Sequence, residues 1–279
     1  MHSMGGPTTK RRSANLLLPV LGLVGVALLG GCAIHTQAEG APRALRDHDR
    51  GQATEAARLL ERAGGSDLEE AEALLRSLTR RYPDDEALML LYAEALLTLN
   101  RPLEARSVLE REMGQSPSRS IKAQLLMART ALRVGDVHRA EAILRRAIEA
   151  HPSEIAPLLL FIEIGGDEEV ALDALRQNPA AFGFAPLRFF EQALRLIFRA
   201  AQASPERIEE LAPLVGALST RLVTLHPARS KEVAVKLLPQ MSRHPTLYFQ
   251  LILPFEDEPE MVGLKLAAKE AIRNRQRDR

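Results

Sequence analysis

One thiol and one short row of cations stand out chemically in this chain. The thiol is Cys32, the only cysteine in 279 residues. It follows the apolar run from Leu16 to Leu29 (LLLPVLGLVGVALL) and the step Leu29-Gly30-Gly31, with Lys10, Arg11 and Arg12 ahead of both. A lone cysteine is commonly a small buried apolar residue or a spare thiol, but no periodic core pattern surrounds this one. The cations are Lys122, Arg129 and Arg133, spaced i, i+7, i+11, which puts them within about 40° of one another on a helical wheel. Such a row either keeps a helix face soluble or meets an anionic partner.

No catalytic constellation accompanies them. The chain has no glycine-rich phosphate loop, no HExxH pair and no nucleophile elbow. Of its seven histidines, His151, His226 and His244 directly precede prolines. Asp47-His48-Asp49 has nothing nearby in sequence to complete a metal site. The acidic run 256–258 suits a solvated helix N-terminus, and Arg273, Arg275, Arg277 and Arg279 suit a solvated tail. The expectation is a non-enzyme that takes no cofactor and no metal.

About 14 apolar residues is the length of a secretory signal core, too short to cross a ~30 Å hydrocarbon layer as a helix. With its positive flank and its Leu-Gly-Gly-Cys ending, the segment resembles the signal peptide of a bacterial lipoprotein, with Leu29, Gly30, Gly31 and Cys32 as the lipobox. The resemblance implies cleavage after Gly31 and acylation of Cys32. Residues 1–31 are then a signal peptide, and residues 32–50 a lipidated N-terminus and flexible tether. One acyl chain holds a protein only marginally, at about 0.8 kcal/mol per buried methylene, so two or three are needed. Arg11-Arg12 lacks the following apolar pair of a twin-arginine signal, which leaves ordinary secretion. Ala33 replaces the aspartate that retains many lipoproteins at the inner membrane. The implied place is the cell envelope, at the periplasmic side of the outer membrane.

Composition bounds what such a tether would hold. Losing residues 1–31 removes three positive charges and no negative ones, taking the formal +1 to −2. A near-neutral chain is no nucleic-acid binder on charge. No second apolar run reaches spanning length, and no cysteine remains for an intramolecular disulfide, so packing alone must stabilise the fold. Ala, Leu, Arg and Glu dominate while Trp is absent and aromatics make up 4 %, the palette of an all-α protein.

Punctuation then divides the chain. Pro83, Pro117 and Pro152 close helical patterns 34 and 35 residues apart. In the clearest copy, Ile121 to Glu154, Gly135-Asp136-Val137 makes a turn, and Met127, Ala128, Ala131, Ala140, Leu144 and Ala147 form packing faces. The copy from Glu86 to Arg119 places Tyr92, Ala93, Leu96, Ala105 and Leu109 at the same offsets, with Glu112 where a small residue is expected. An earlier copy from Gln52 keeps Asp67, Ala71 and Leu75 but sets Arg58 and Arg62 at interior positions. This period resembles the tetratricopeptide repeat. The resemblance implies an all-α, tetratricopeptide-type solenoid of antiparallel helix pairs over residues 51–179, continued by less regular helices over 180–279. Helices are expected at 187–203, 205–225, 230–243 and 260–275, with a loop at 180–186 and an ambiguous helix or strand at 246–253.

In that family the first helices line a concave groove. Carried over by position, the groove residues here are Lys122, Leu125, Arg129, Leu132 and Arg133 in one copy and Leu90, Glu94 and Leu97 in its neighbour. Leucines edged by cations suit a peptide with acidic groups. Two functions follow. The first is a non-catalytic protein–protein scaffold that meets envelope proteins through the groove and the membrane through its lipid. The second is a ligand-binding accessory of a transport or export system, with a pocket where Phe182, Phe184, Phe189 and Phe190 gather.

Overall fold

Two kinds of stop cut this chain into helices. The first is X-Pro. The proline ring drives the preceding residue out of the α region. Tyr82, His151, Ser204, His226 and His244 accordingly sit at φ −128, −133, −135, −131 and −136°. Each still donates its N–H four residues back, at 2.7–2.9 Å. The second is a left-handed residue between paired helices: Asn100 (φ 58°), Gly135 (φ 87°) and Gly165 (φ 73°). All three close with the same pair of bonds. Arg101, Asp136 and Gly166 donate to the carbonyls of Leu96, Ala131 and Phe161 at 2.8, 2.9 and 3.0 Å, and the left-handed residue itself donates three residues back. This is a Schellman closure repeated along the chain.

The computed structural model describes residues 44–62, 64–113, 120–177, 179–255 and 259–277. The signal segment with Leu29, Gly30, Gly31 and Cys32, along with Pro117 and the acidic run 256–258, lies outside the described residues. Four successive helix pairs come first: α1 (Asp47–Arg62) with α2 (Gly65–Arg81), α3 (Glu86–Thr98) with α4 (Pro102–Met113), α5 (Ile121–Val134) with α6 (Val137–Ala150), and α7 (Ile155–Glu163) with α8 (Glu168–Gln177). A fifth pair, α9 (Leu187–Ala203) and α10 (Ile208–Leu225), precedes α11 (Pro227–Lys236), α12 (Pro245–Ile252) and α13 (Pro259–Arg277). Every helix through α10 packs on the next, α10 also packs on α12, and α12 on α13. Three neighbouring odd pairs touch as well, α1 with α3, α3 with α5 and α7 with α9, while α5 with α7 and every even pair before α10 do not do so to the same extent. A stack whose odd helices approach each other curves towards them, so they form the concave side. The fold is an all-α helical solenoid, and no described helix is long and apolar enough to cross a membrane.

Alanines set the spacing. Ala71, Ala93, Ala105, Ala128, Ala140, Ala147 and Ala171 are wholly buried, letting helix backbones approach while leucines fill the gaps. Phe161, whose carbonyl closes the α7 turn as that of Ala131 closes the α5 turn, is also wholly buried. Its ring lies against Gly166, where an added Cβ would meet it at 2.7 Å.

Several expectations change. Residues 47–50 are not tether but the first turn of α1, because Asp49 is buried there and accepts bonds from Tyr82 Oη (2.7 Å) and Arg81 Nη1 (2.6 Å). Arg58 and Arg62 are exposed, not interior; Ala56 and Leu59 face inward instead. The stretch 230–243 is not one helix: α11 ends at Lys236 and Leu238–Gln240 is a 3-10 turn, since Pro239 has no N–H to donate. Pro179–Phe184 likewise forms a 3-10 helix where a loop was expected, and 245–252 is helical.

Candidate functional site

Helix α5 presents the cation row because both of its ends are fixed. The Ser120 side chain accepts from Ala123 N, and Gly135 terminates the helix in the left-handed region. Arg129 and Arg133 are exposed and Lys122 half-buried, and none of the three has an ion-pair partner among the described residues. Leu125 and Leu132 lie between them, half-buried against the larger core cluster. On α3, Glu94 and Leu97 are half-buried. Leu90, expected in the groove, is instead 8 % exposed within the N-terminal core cluster and offers a partner almost no surface.

Two residues that the sequence did not single out join this face. Glu163, at the end of α7, meets Arg188 Nε of α9 at 2.6 Å and also feels the charge of Arg129. Burial pushes its carboxyl above the usual range, and the pull of Arg188 and then Arg129 does not reverse that. Helices α7 and α9 are thus joined by an ion pair, and Arg129 of α5 lies within electrostatic range of its acid. The available signal was positional: counted from Ile155, Glu163 stands where Arg129 stands counted from Ile121.

Other polar clusters tie helices together. Glu72, 5 % exposed, receives Arg76 Nε (3.0 Å) and Tyr92 Oη (3.2 Å), with Arg101 at 3.5 Å. Asp49 serves α1 and α2 in the same way, so Asp47-His48-Asp49 is the first turn of α1 tied to the end of α2. No group of three or more metal-ligating side chains gathers among the described residues. The aromatic junction is filled rather than hollow. Phe182, Phe189 and Phe190 are buried, with centroids 5.4 and 5.7 Å apart in sequence order, and only Phe184 is exposed. The cavity between α4, α5 and α6, lined by Leu109, Met127 and Arg139 among others, holds about 10 Å³, no more than one water.

The family model described as tetratricopeptide repeat matches residues 64–117. The chain contains a tetratricopeptide repeat. The matched stretch runs from just before α2 to just past α4, and the α5–α6 pair repeats its turn and its alanine spacing. No curated protein matches the chain. Tetratricopeptide repeats are generally non-catalytic modules for protein–protein contact, and an all-α stack of this kind gives that role a concave surface.

Proposed function

We propose that this protein is a lipid-anchored, non-catalytic scaffold of the bacterial cell envelope that gathers partner proteins on the concave face of its tetratricopeptide solenoid. One observation carries the binding role: Lys122, Arg129 and Arg133 flank half-buried leucines on α5 without ion-pair partners among the described residues. Cations on the even helices are in several cases paired, as with Arg106, Arg139, Arg145 and Arg176. A row left unpaired on the concave side suits an anionic partner segment.

Support for the anchor is the signal-like run ending in Leu29-Gly30-Gly31-Cys32. From Cys32 to Asp47 the chain reaches at most about 50 Å when extended, so an acylated Cys32 keeps the solenoid close to a bilayer. Its effect is then to raise the local concentration of partners at that surface. Ala33 favours the periplasmic side of the outer membrane. Affinity capture from detergent-solubilised envelopes tests the reading: particular proteins recovered with the wild type are lost with Arg129→Glu plus Arg133→Glu. Identical recovery with that variant removes the face from the account. Cys32→Ser should abolish acylation and shift the protein out of the detergent phase, and unchanged partition rules out the anchor.

A further inference from the structure

The cation row on α5 has a counterpart two helix pairs' worth of chain later. On α9, Arg188, Arg195 and Arg199 are exposed and spaced i, i+7, i+11, the same interval as Lys122, Arg129 and Arg133. Counted from the first residue of each helix, Ile121 and Leu187, the two trios fall on the same positions. Arg188 is placed on the concave side by its contact with Glu163, which also feels Arg129. At this spacing Arg195 and Arg199 lie within about 40° of Arg188 around α9, so they extend the same face. Neither has an ion-pair partner among the described residues.

Resting on the scaffold reading above, we infer that the rows on α5 and α9 form one docking surface for an acidic polypeptide segment that crosses α7. Six cations face this surface against two acids, Glu163 paired with Arg188 and Glu191 paired with Lys236 of α11, in a chain whose overall formal charge is only +1. The surface is a local excess rather than a share of a basic protein. Each row is about 16 Å long at 1.5 Å per residue, and with α7 between them the rows stand at least two helix spacings of about 8–10 Å apart. An extended segment of about six residues covers that distance. The curvature decides between a peptide and a membrane: the rows lie on the inner side of the stack, which a chain can enter and a flat headgroup layer cannot. Between the rows, the leucines of α5 supply an apolar floor for side chains that alternate with the carboxylates.

The test uses the full chain in non-ionic detergent and a fluorescent peptide of about twelve residues built from Glu-Ser-Leu triplets, with a Gln-Ser-Leu peptide for comparison. Anisotropy should detect the glutamate peptide and not the glutamine one, with binding that weakens as salt is added. Arg195→Glu with Arg199→Glu, and separately Arg129→Glu with Arg133→Glu, should each weaken binding by ~10-fold or more, with helical circular dichroism unchanged. Loss with the α5 pair but not the α9 pair overturns the extended surface and leaves the scaffold reading intact. Indifference to both pairs, or equal binding of the two peptides, removes the charged groove altogether. If the α9 pair instead abolishes sedimentation with phosphatidylglycerol vesicles while peptide binding is unchanged, the row is a lipid contact and the inference fails.

Discussion

The two halves of the solenoid solve the same packing problem with different chemistry. In α1–α4 the core is aliphatic apart from Tyr82 and Tyr92, and the acids buried beside it are fully engaged: Asp49 by Tyr82 and Arg81, Glu72 by Arg76, Tyr92 and Arg101. From α7 onward the core is aromatic, with Phe161, Phe182, Phe189, Phe190, Phe198 and Tyr248 buried. Its buried polar groups, Ser219, Ser230 and His244, are as many but less well served. Ser219 donates to the Leu251 carbonyl and Tyr248 to that of Ala234, but neither ring nitrogen of His244 has a hydrogen-bond partner among the described residues. Ionic ties specify which helices meet, whereas a dry aromatic core stabilises through area and shape. The recognisable repeat therefore sits in the first half, and the larger continuous core in the second.

Core truncation should separate the halves most strongly. Phe190→Ala is expected to cost ~3–5 kcal/mol, against ~2–5 kcal/mol for Leu96→Ala at the equally buried site in α3. Hydrogen exchange should show α9–α12 opening first in the former and α2–α4 in the latter. Uniform loss of protection in both would mean that the stack unfolds as one cooperative unit. Next come the turns. Gly166→Ala forces a Cβ onto the Phe161 ring and should cost ~1–3 kcal/mol. Gly135→Ala meets open space but keeps a left-handed φ, at ~1–2 kcal/mol. Chemical denaturation of the pair checks that order.

Acid should act smallest and at two different points. His244 is 5 % exposed, faces Phe198, and feels Arg275 of α13 and the neighbouring Arg243. Burial first, and then these arginines, hold its pKa below 6.5. The unfolded chain thus takes up the proton more readily, and stability falls as pH drops through 6.5 towards the folded value. His244→Phe should flatten that slope. Asp49 differs: the hydrogen bond from Tyr82, and then the charge of Arg81, lower its pKa from 3.8. Its contribution persists above 3.8 and is lost only as pH falls below that, so Tyr82→Phe should lower stability above pH 3.8, converge on the wild type in strong acid and leave the His244 step alone. Melting temperature against pH for the two variants reads both, and a shared slope would erase the distinction between the halves.

What could be read in advance was local. X-Pro stops and Gly135-Asp136 act on their own backbone, so α5, α6 and α9 begin and end where their residues say they should. Asn100 makes the same left-handed turn as Gly135, yet asparagine is common enough elsewhere to pass unmarked. Long-range burial was not legible. Asp49 belongs to a helix because of Tyr82, and Leu90 is core because of its packing against neighbouring helices. Glu163 matters through Arg188 on α9. The cation row on α5 was legible because it lies on one helix, and its extension was not, because it required knowing which face of α9 turns inward.

The central claim is that partners bind on the side of the odd helices. A photo-crosslinking residue placed at Arg133 on α5, and separately at the exposed Arg146 on α6, tests it in intact envelopes. The account predicts protein adducts from position 133 that disappear with Arg195→Glu plus Arg199→Glu, and none from position 146. Adducts from 146 alone, or equally from both, would contradict it.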